Sequence, residues 1–305
     1  MKPILFTIFL LGILPSMVIS QELEKDTFKL FFLGGQSNME GHGKNADLPN
    51  SLKQEFNKVW IFEGSPAGDE DRNGGLGKWE LLKPGHGTGF SSDGINNKLS
   101  NRFGIELSFA KKLQEFYPNE KIALIKYAKG GSSIDSLAAR HFGSWKMDYK
   151  GTNGINQFDH FLTTLKGALN NRDIDKNDKE DVLIPAGIIW MQGESDAAIT
   201  EEIALRYYSN LKRLMDLIRI SLHKDNLAVV IGKISDSGNS QEGKVWPYGE
   251  LVQYAQEKYA RTDRKASIVR STKYYKYSDP WHYDSKGYID LGEKFAEAVY
   301  RLNEE

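Results

Sequence analysis

Phe28-Lys29-Leu30-Phe31-Phe32-Leu33-Gly34-Gly35-Gln36-Ser37-Asn38-Met39 is the stretch on which the reading of this chain turns, because an apolar, aromatic run ends there in two glycines and a serine. Phe28 to Leu33 has the composition of a strand buried on both faces. Glycine permits a sharp turn where a chain leaves a sheet, so Ser37 is expected at the carboxyl edge with its backbone N–H free. In open α/β sheets that edge is where ligands bind. An ordinary strand-to-helix turn with a capping serine reads the same way. The Gly-x-Ser pattern also lacks the second glycine of a nucleophile elbow, since Met39 occupies that position.

Working outward, short apolar or β-branched runs alternate with longer stretches of helical period, the pattern of an α/β sandwich. Strands are predicted over 28–33, 58–62, 122–127, 183–191, 228–234 and 267–270. Helical stripes are formed by Ile105, Phe109, Leu113 and Phe116, by Tyr207, Leu211, Leu214 and Ile218, and by Ile289, Phe295, Val299 and Leu302. These stripes read as core. The glycine-rich stretch 64–104 reads as an extended loop over one domain, and loops of that length in a compact domain are commonly functional.

The 305 residues contain no cysteine, which excludes a thiol nucleophile, a Cys-based zinc site and an iron–sulfur cluster. Residues 1–20 read as a signal peptide, with Lys2 at the start, an apolar run from Ile4 to Ile19, and Val18 and Ser20 before Gln21. The expected mature chain is a single domain, 21–305, that is secreted or periplasmic and has no stable membrane anchor. Losing Lys2 takes the 40 basic residues to 39 against 41 acidic ones, a balance that argues against nucleic acid as a partner. No cofactor is expected.

Three further segments carry polar groups suited to chemistry. Ser278-Asp279-Pro280-Trp281-His282-Tyr283-Asp284 precedes the last helix. Its spacing can set Asp279 against one ring nitrogen of His282 and leave the other to take a proton. A serine hydroxyl needs such a base. Asp284 is an alternative partner, although a capping role at the helix start also explains it. Ile122 to Tyr127 runs into Ala128-Lys129-Gly130-Gly131-Ser132-Ser133, whose glycines can expose a backbone N–H to an oxyanion. Ile188-Ile189-Trp190-Met191 runs into Gln192-Gly193-Glu194-Ser195-Asp196, where Gln192 offers a side-chain donor. Glu194 and Asp196 do not by themselves make a glycosidase pair.

Taken in order, Gly35-Gln36-Ser37-Asn38-Met39, Gly130-Gly131-Ser132, Trp190 to Asp196 and Asp279-Pro280-Trp281-His282 resemble the blocks of one family. It is the sialate O-acetylesterase-like branch of the SGNH hydrolases, which includes acetylxylan esterases of carbohydrate esterase family six. The resemblance implies a three-layer α/β/α sandwich with a parallel, flavodoxin-like sheet. It implies Ser37 as nucleophile, His282 as base and Asp279 as its orienter. It also implies an oxyanion hole from the Ser37 and Gly130 N–H groups, completed by Gln192 with Glu194 in support behind it. The implied substrate is an acetylated carbohydrate. His42 stands where many relatives carry arginine and reads as a loop residue.

Asp69, Asp71, Asn73, Gly74 and Glu80 have the spacing of a calcium loop, but their flanks read as strands, so an acidic surface loop is the expectation and no metal is assigned. Trp145, Trp246 and Trp281 are candidates for stacking on sugar rings, or for packing. A non-catalytic carbohydrate-binding protein on the same scaffold is the rival to an esterase.

Overall fold

A computed structural model describes residues 25–68, 71, 73–151 and 154–304. The expected signal peptide lies outside the described residues, as does Asp69. Among the described residues, strands occur in the order β1 (Thr27–Gly35), β2 (Gly43–Lys44), β3 (Val59–Glu63), β4 (Trp79–Leu81), β5 (Ser91–Ser92), β6 (Asn97–Lys98), β7 (Arg102–Phe103), β8 (Lys121–Ala128), β9 (Val182–Met191), β10 (Val229–Gly232) and β11 (Ala266–Val269). Seven build one sheet in the order β11-β10-β9-β1-β8-β3-β4, parallel throughout except for the β4 edge. Within the glycine-rich stretch 64–104, β5 pairs with β6 as a small ribbon, and β7 pairs with β2, which lies before it.

The helices are α1 (Ser37–Glu40), α2 (Glu106–Phe116), α3 (Gln157–Asn170), α4 (Glu201–Ser221), α5 (Gly249–Thr262) and α6 (Ser285–Glu304). Successive residues of a strand face opposite sides. Phe31 therefore meets Phe109 of α2 at 5.5 Å between ring centroids, while Phe32 meets Phe161 of α3 at 4.8 Å. That alternation makes the middle layer apolar on both faces, and the three-layer α/β/α sandwich follows. Because both faces are covered, Phe28, Phe31, Phe32 and Leu33 are fully buried.

Chain direction across the sheet reverses at β1, which lies between β8 and β9. A crevice opens at such a switch point, outside the carboxyl ends of the strands. The turn out of β1 is tight: a Cβ on Gly35, at φ +150°, would lie 2.0 Å from the Met191 carbonyl oxygen on β9. Only glycine brings the two strand ends that close.

Candidate active site

Three strand ends and one loop meet at this switch point around a cavity of about 440 Å³. Ser37 and Gln36 leave β1, Gly130 leaves β8, Ser195 follows β9, and Trp281 and His282 come from the loop before α6. Ser37 and His282 thus line one space although 245 positions separate them. His282 Nδ1 lies 2.7 Å from Asp279 Oδ2, which leaves Nε2 as the nitrogen without that partner. Asp279 Oδ1 also accepts the N–H groups of Trp281 and His282, each at 2.8 Å. Burial raises the Asp279 carboxyl, but these hydrogen bonds outweigh it and hold the group below the ordinary carboxylate range. Asp284 instead accepts the Gly287 N–H at 2.8 Å in the first turn of α6, so the capping role explains it.

His42 is more than a loop residue. Its ring stacks on His282 with centroids 3.6 Å apart and planes 7° from parallel, and it lines the cavity. Burial, and then the neighbouring His282 charge, lower its pKa to about 4. A neutral ring therefore backs the His282 imidazole.

Asn38 clasps three segments together. Its amide nitrogen donates to Glu194 Oε1 at 2.8 Å and to the Trp281 carbonyl at 3.2 Å, while its oxygen accepts the Tyr288 hydroxyl at 2.8 Å. The Ser37 turn, the Trp190–Asp196 block and the His282 loop are thereby fixed to one another. Glu194 is fully enclosed, and burial pushes its carboxyl up to about 6. Below the turn, the buried Lys126 ammonium donates to the Glu40 carbonyl at 2.9 Å and pairs with Glu106 at 3.1 Å and Glu63 at 3.4 Å. Lys126 also donates to the His86 carbonyl.

The Gln192 side chain is engaged away from the cavity: it is fully buried and absent from the cavity wall. Its amide nitrogen donates to Asp196 at 2.7 Å and to Gln36 Oε1 and the Ser132 carbonyl at 3.2 Å each. An amide has two N–H donors, and these acceptors take both. Gln36 has the opposite disposition. Its oxygen accepts from Gln192 and from the Gly193 and Ser195 N–H groups at 3.3 Å, and among the described residues no acceptor takes its amide nitrogen. Two backbone donors fix which way that amide faces, and Gln36 lines the cavity beside Ser37. Among the described residues the Ser37 N–H also has no acceptor. The Gly130 N–H is held by Glu40 Oε2 at 2.6 Å.

Of the tryptophans, Trp145 packs in the core against Trp190 and Tyr127. Trp281, half exposed, and Trp246 both line the cavity. The calcium-like spacing does not assemble in the described residues. Asp71 accepts the Asn73 N–H, and Glu80 on β4 is engaged by Asn97 at 2.6 Å and Lys83 at 3.0 Å. Among the described residues no helix is long and apolar enough to cross a membrane.

Solved structures share this fold. A protein from Arabidopsis thaliana superposes with a TM-score of 0.61 at 18% identity, covering 90% of this chain and 98% of that one. A carbohydrate acetylesterase from Xanthomonas citri gives 0.59 at 17% identity, covering 90% of this chain and 57% of the other. NanS gives 0.56 at 15% identity, covering 92% and 98%. No curated protein matches the sequence. Residues 27–301 match the family model described as carbohydrate esterase, sialic acid-specific acetylesterase, and the chain belongs to that family of carbohydrate esterases.

Proposed function

We propose that this carbohydrate esterase removes acetyl groups from sugars through a serine acyl-enzyme, with Ser37 as nucleophile, His282 as base and Asp279 as orienter. The observation that carries the proposal is the 2.7 Å contact between Asp279 and His282 Nδ1 in a loop that shares its cavity with Ser37. His282 Nε2 takes the Ser37 proton as Oγ bonds to the acetyl carbonyl carbon. The same proton goes to the departing sugar oxygen as the ester C–O bond breaks. Water, deprotonated by His282, then attacks the acyl-enzyme; acetate leaves and the proton returns to Ser37.

Negative charge on the carbonyl oxygen is met by the Ser37 N–H and, in place of Gln192, by the Gln36 amide nitrogen. The Gly130 N–H joins them once the oxyanion displaces the Glu40 carboxylate. Gln192 and Glu194 act as positioning residues, through Gln36 and Asn38. Trp246 and Trp281 offer faces to a sugar ring. The charged start and apolar run of residues 1–20 support a secreted or periplasmic enzyme, and the family match over 27–301 supports one esterase domain over 21–305.

Hydrolysis of p-nitrophenyl acetate and of acetylated xylan, pectin fragments and sialic acids, by the native chain and by Ser37→Ala, tests the proposal. Acetate release that survives Ser37→Ala refutes it. Sugar binding with no turnover on any of these esters would favour the binding-protein reading.

A further inference from the structure

Opposite the cavity, at the amino ends of the central strands, three carboxylates converge. Asp26 directly precedes β1, Asp181 directly precedes β9, and Asp175 lies in the loop leading to β9; one oxygen from each falls within 4.8 Å of the others. Lys121, the first residue of β8, reaches in with its ammonium 2.7 Å from Asp26 and 2.5 Å from Asp175. Asn177 adds a donor to Asp26 at 2.9 Å. Three carboxylates face this one inserted ammonium.

The second observation is one of unsatisfied oxygens. Asp175 Oδ1 and Asp181 Oδ1 are both buried and have no hydrogen-bond partner. Asp181 is only 6% exposed, and its other oxygen accepts the Ile174 N–H at 2.7 Å. Buried carboxylate oxygens without partners are costly, and a cation satisfies them. We propose that Asp26, Asp175 and Asp181 form a binding site for one calcium ion, which pins the amino ends of β1 and β9 together.

Calcium suits the arrangement better than magnesium. Calcium ligands stand at about 2.3–2.6 Å, so oxygens on opposite sides of the ion lie up to about 5 Å apart, and irregular donor sets are accepted. Magnesium demands a tighter octahedron at about 2.0–2.1 Å and dehydrates reluctantly. Asp26, with its side chain 41% exposed, leaves an open side for water. The segment Asp173-Ile174-Asp175-Lys176-Asn177-Asp178-Lys179-Glu180-Asp181 also sets oxygen-bearing side chains at the first, third, fifth and ninth positions, the spacing of calcium loops. Where such a loop ends in glutamate at the twelfth position, this chain has Ile184; Asp26 supplies the missing carboxylate from another strand. Lys121 occupies part of the site and withdraws toward solvent when the ion enters.

The test is calorimetric titration of calcium chloride into the full chain after chelator treatment, with thermal unfolding in parallel. One ion per chain is expected, with a Kd on the order of 10⁻⁴ M as in extracellular modules, weaker magnesium binding, and an unfolding temperature that rises with calcium. Asp175→Asn and Asp181→Asn should each weaken binding at least about tenfold, at roughly one carboxylate ligand lost. Should either fail to fold, Asp26→Asn at the exposed side provides the same reading. No binding heat and no thermal shift in the native chain at about 5 mM calcium would overturn the proposal, because that concentration exceeds the usual range of such sites. Unchanged affinity in the folded variants would do so as well.

Discussion

Replacing His42 by phenylalanine isolates the contribution of a neutral imidazole to acid stability. The ring stacks flat on His282, so a phenyl group can take the same position. Burial, followed by the His282 charge, lowers the His42 pKa from 6.5 to about 4. A depressed folded-state pKa means that stability is fully present above pH 6.5 and is lost as pH falls toward 4, because the unfolded chain takes up the proton first. With those two values, linkage makes the loss at pH 4.5 about 2.5 kcal/mol. Urea unfolding at pH 7.5 and pH 4.5, followed by tryptophan fluorescence, reads this directly. At an m-value of about 2.5 kcal/mol per molar, the native chain should lose about 1 M more of its midpoint on acidification than His42→Phe does. Acid-sensitive groups remote from His42 are common to both proteins and cancel in the difference; His282 and Asp279, which act on it, do not. Parallel pH dependence in the two proteins, within about 0.5 kcal/mol, would refute a buried neutral His42.

Loss of the nucleophile in Ser37→Ala is expected to lower kcat on the order of 10⁴ or more, and Asp279→Asn by about 10³ to 10⁴, because the amide favours the wrong imidazole tautomer. Steady-state kinetics on an acetyl ester checks both. Gln36→Ala removes one oxyanion donor and should cost about 10² to 10³ in kcat with little change in KM. Gln192→Ala leaves buried acceptors unpaired and should destabilise the fold by about 1–3 kcal/mol. If Gln192→Ala instead slows turnover more than Gln36→Ala does and leaves stability intact, the donor role returns to Gln192. Glu194→Gln should flatten part of the pH dependence of stability. With its carboxyl raised from 4.5 to about 6, the native chain loses about 2 kcal/mol as pH rises through that interval, because a buried group must ionise. Urea midpoints at pH 5 and pH 8 that move in parallel for both proteins would contradict this.

The middle of the sheet was open to sequence reasoning because continuous apolar runs are what strands buried on both faces require. Phe28 to Leu33 anticipates β1, and 183–191 anticipates β9 almost to the residue. α3 and α5 escape the same reasoning. Their buried faces carry Gln157, His160 and Thr164 in the one, and Gly249, Ala255 and Gln256 in the other. The polar ones are buried through hydrogen bonds: Gln256 accepts the Ile234 N–H at 3.0 Å, and Thr164 donates to the Gly75 carbonyl at 2.9 Å. A stripe counted only by its apolar members understates such helices.

The site divides along the same line. Ser37 and the Asp279–His282 pair stand out because their chemistry depends on residue type and, for the pair, on a spacing of three. Gln192 attracted the donor role because it is an amide at a strand end, and nothing local reveals that Asp196, Ser132 and Gln36 already claim its hydrogens. The partners of Gln36 and Asn38 lie more than 150 positions away, so their work is visible only once β1 and β9 are side by side. The three aspartates at the opposite edge obey the same rule. Asp175 and Asp181 are near neighbours in the chain, but Asp26 reaches them only because the parallel register sets Thr27 beside Val182. Parallel pairing brings strand starts together at one edge and strand ends at the other. It therefore gathers distant polar residues twice: at the carboxyl edge around the cavity that Ser37 and His282 line, and at the amino edge around the carboxylates proposed to hold calcium.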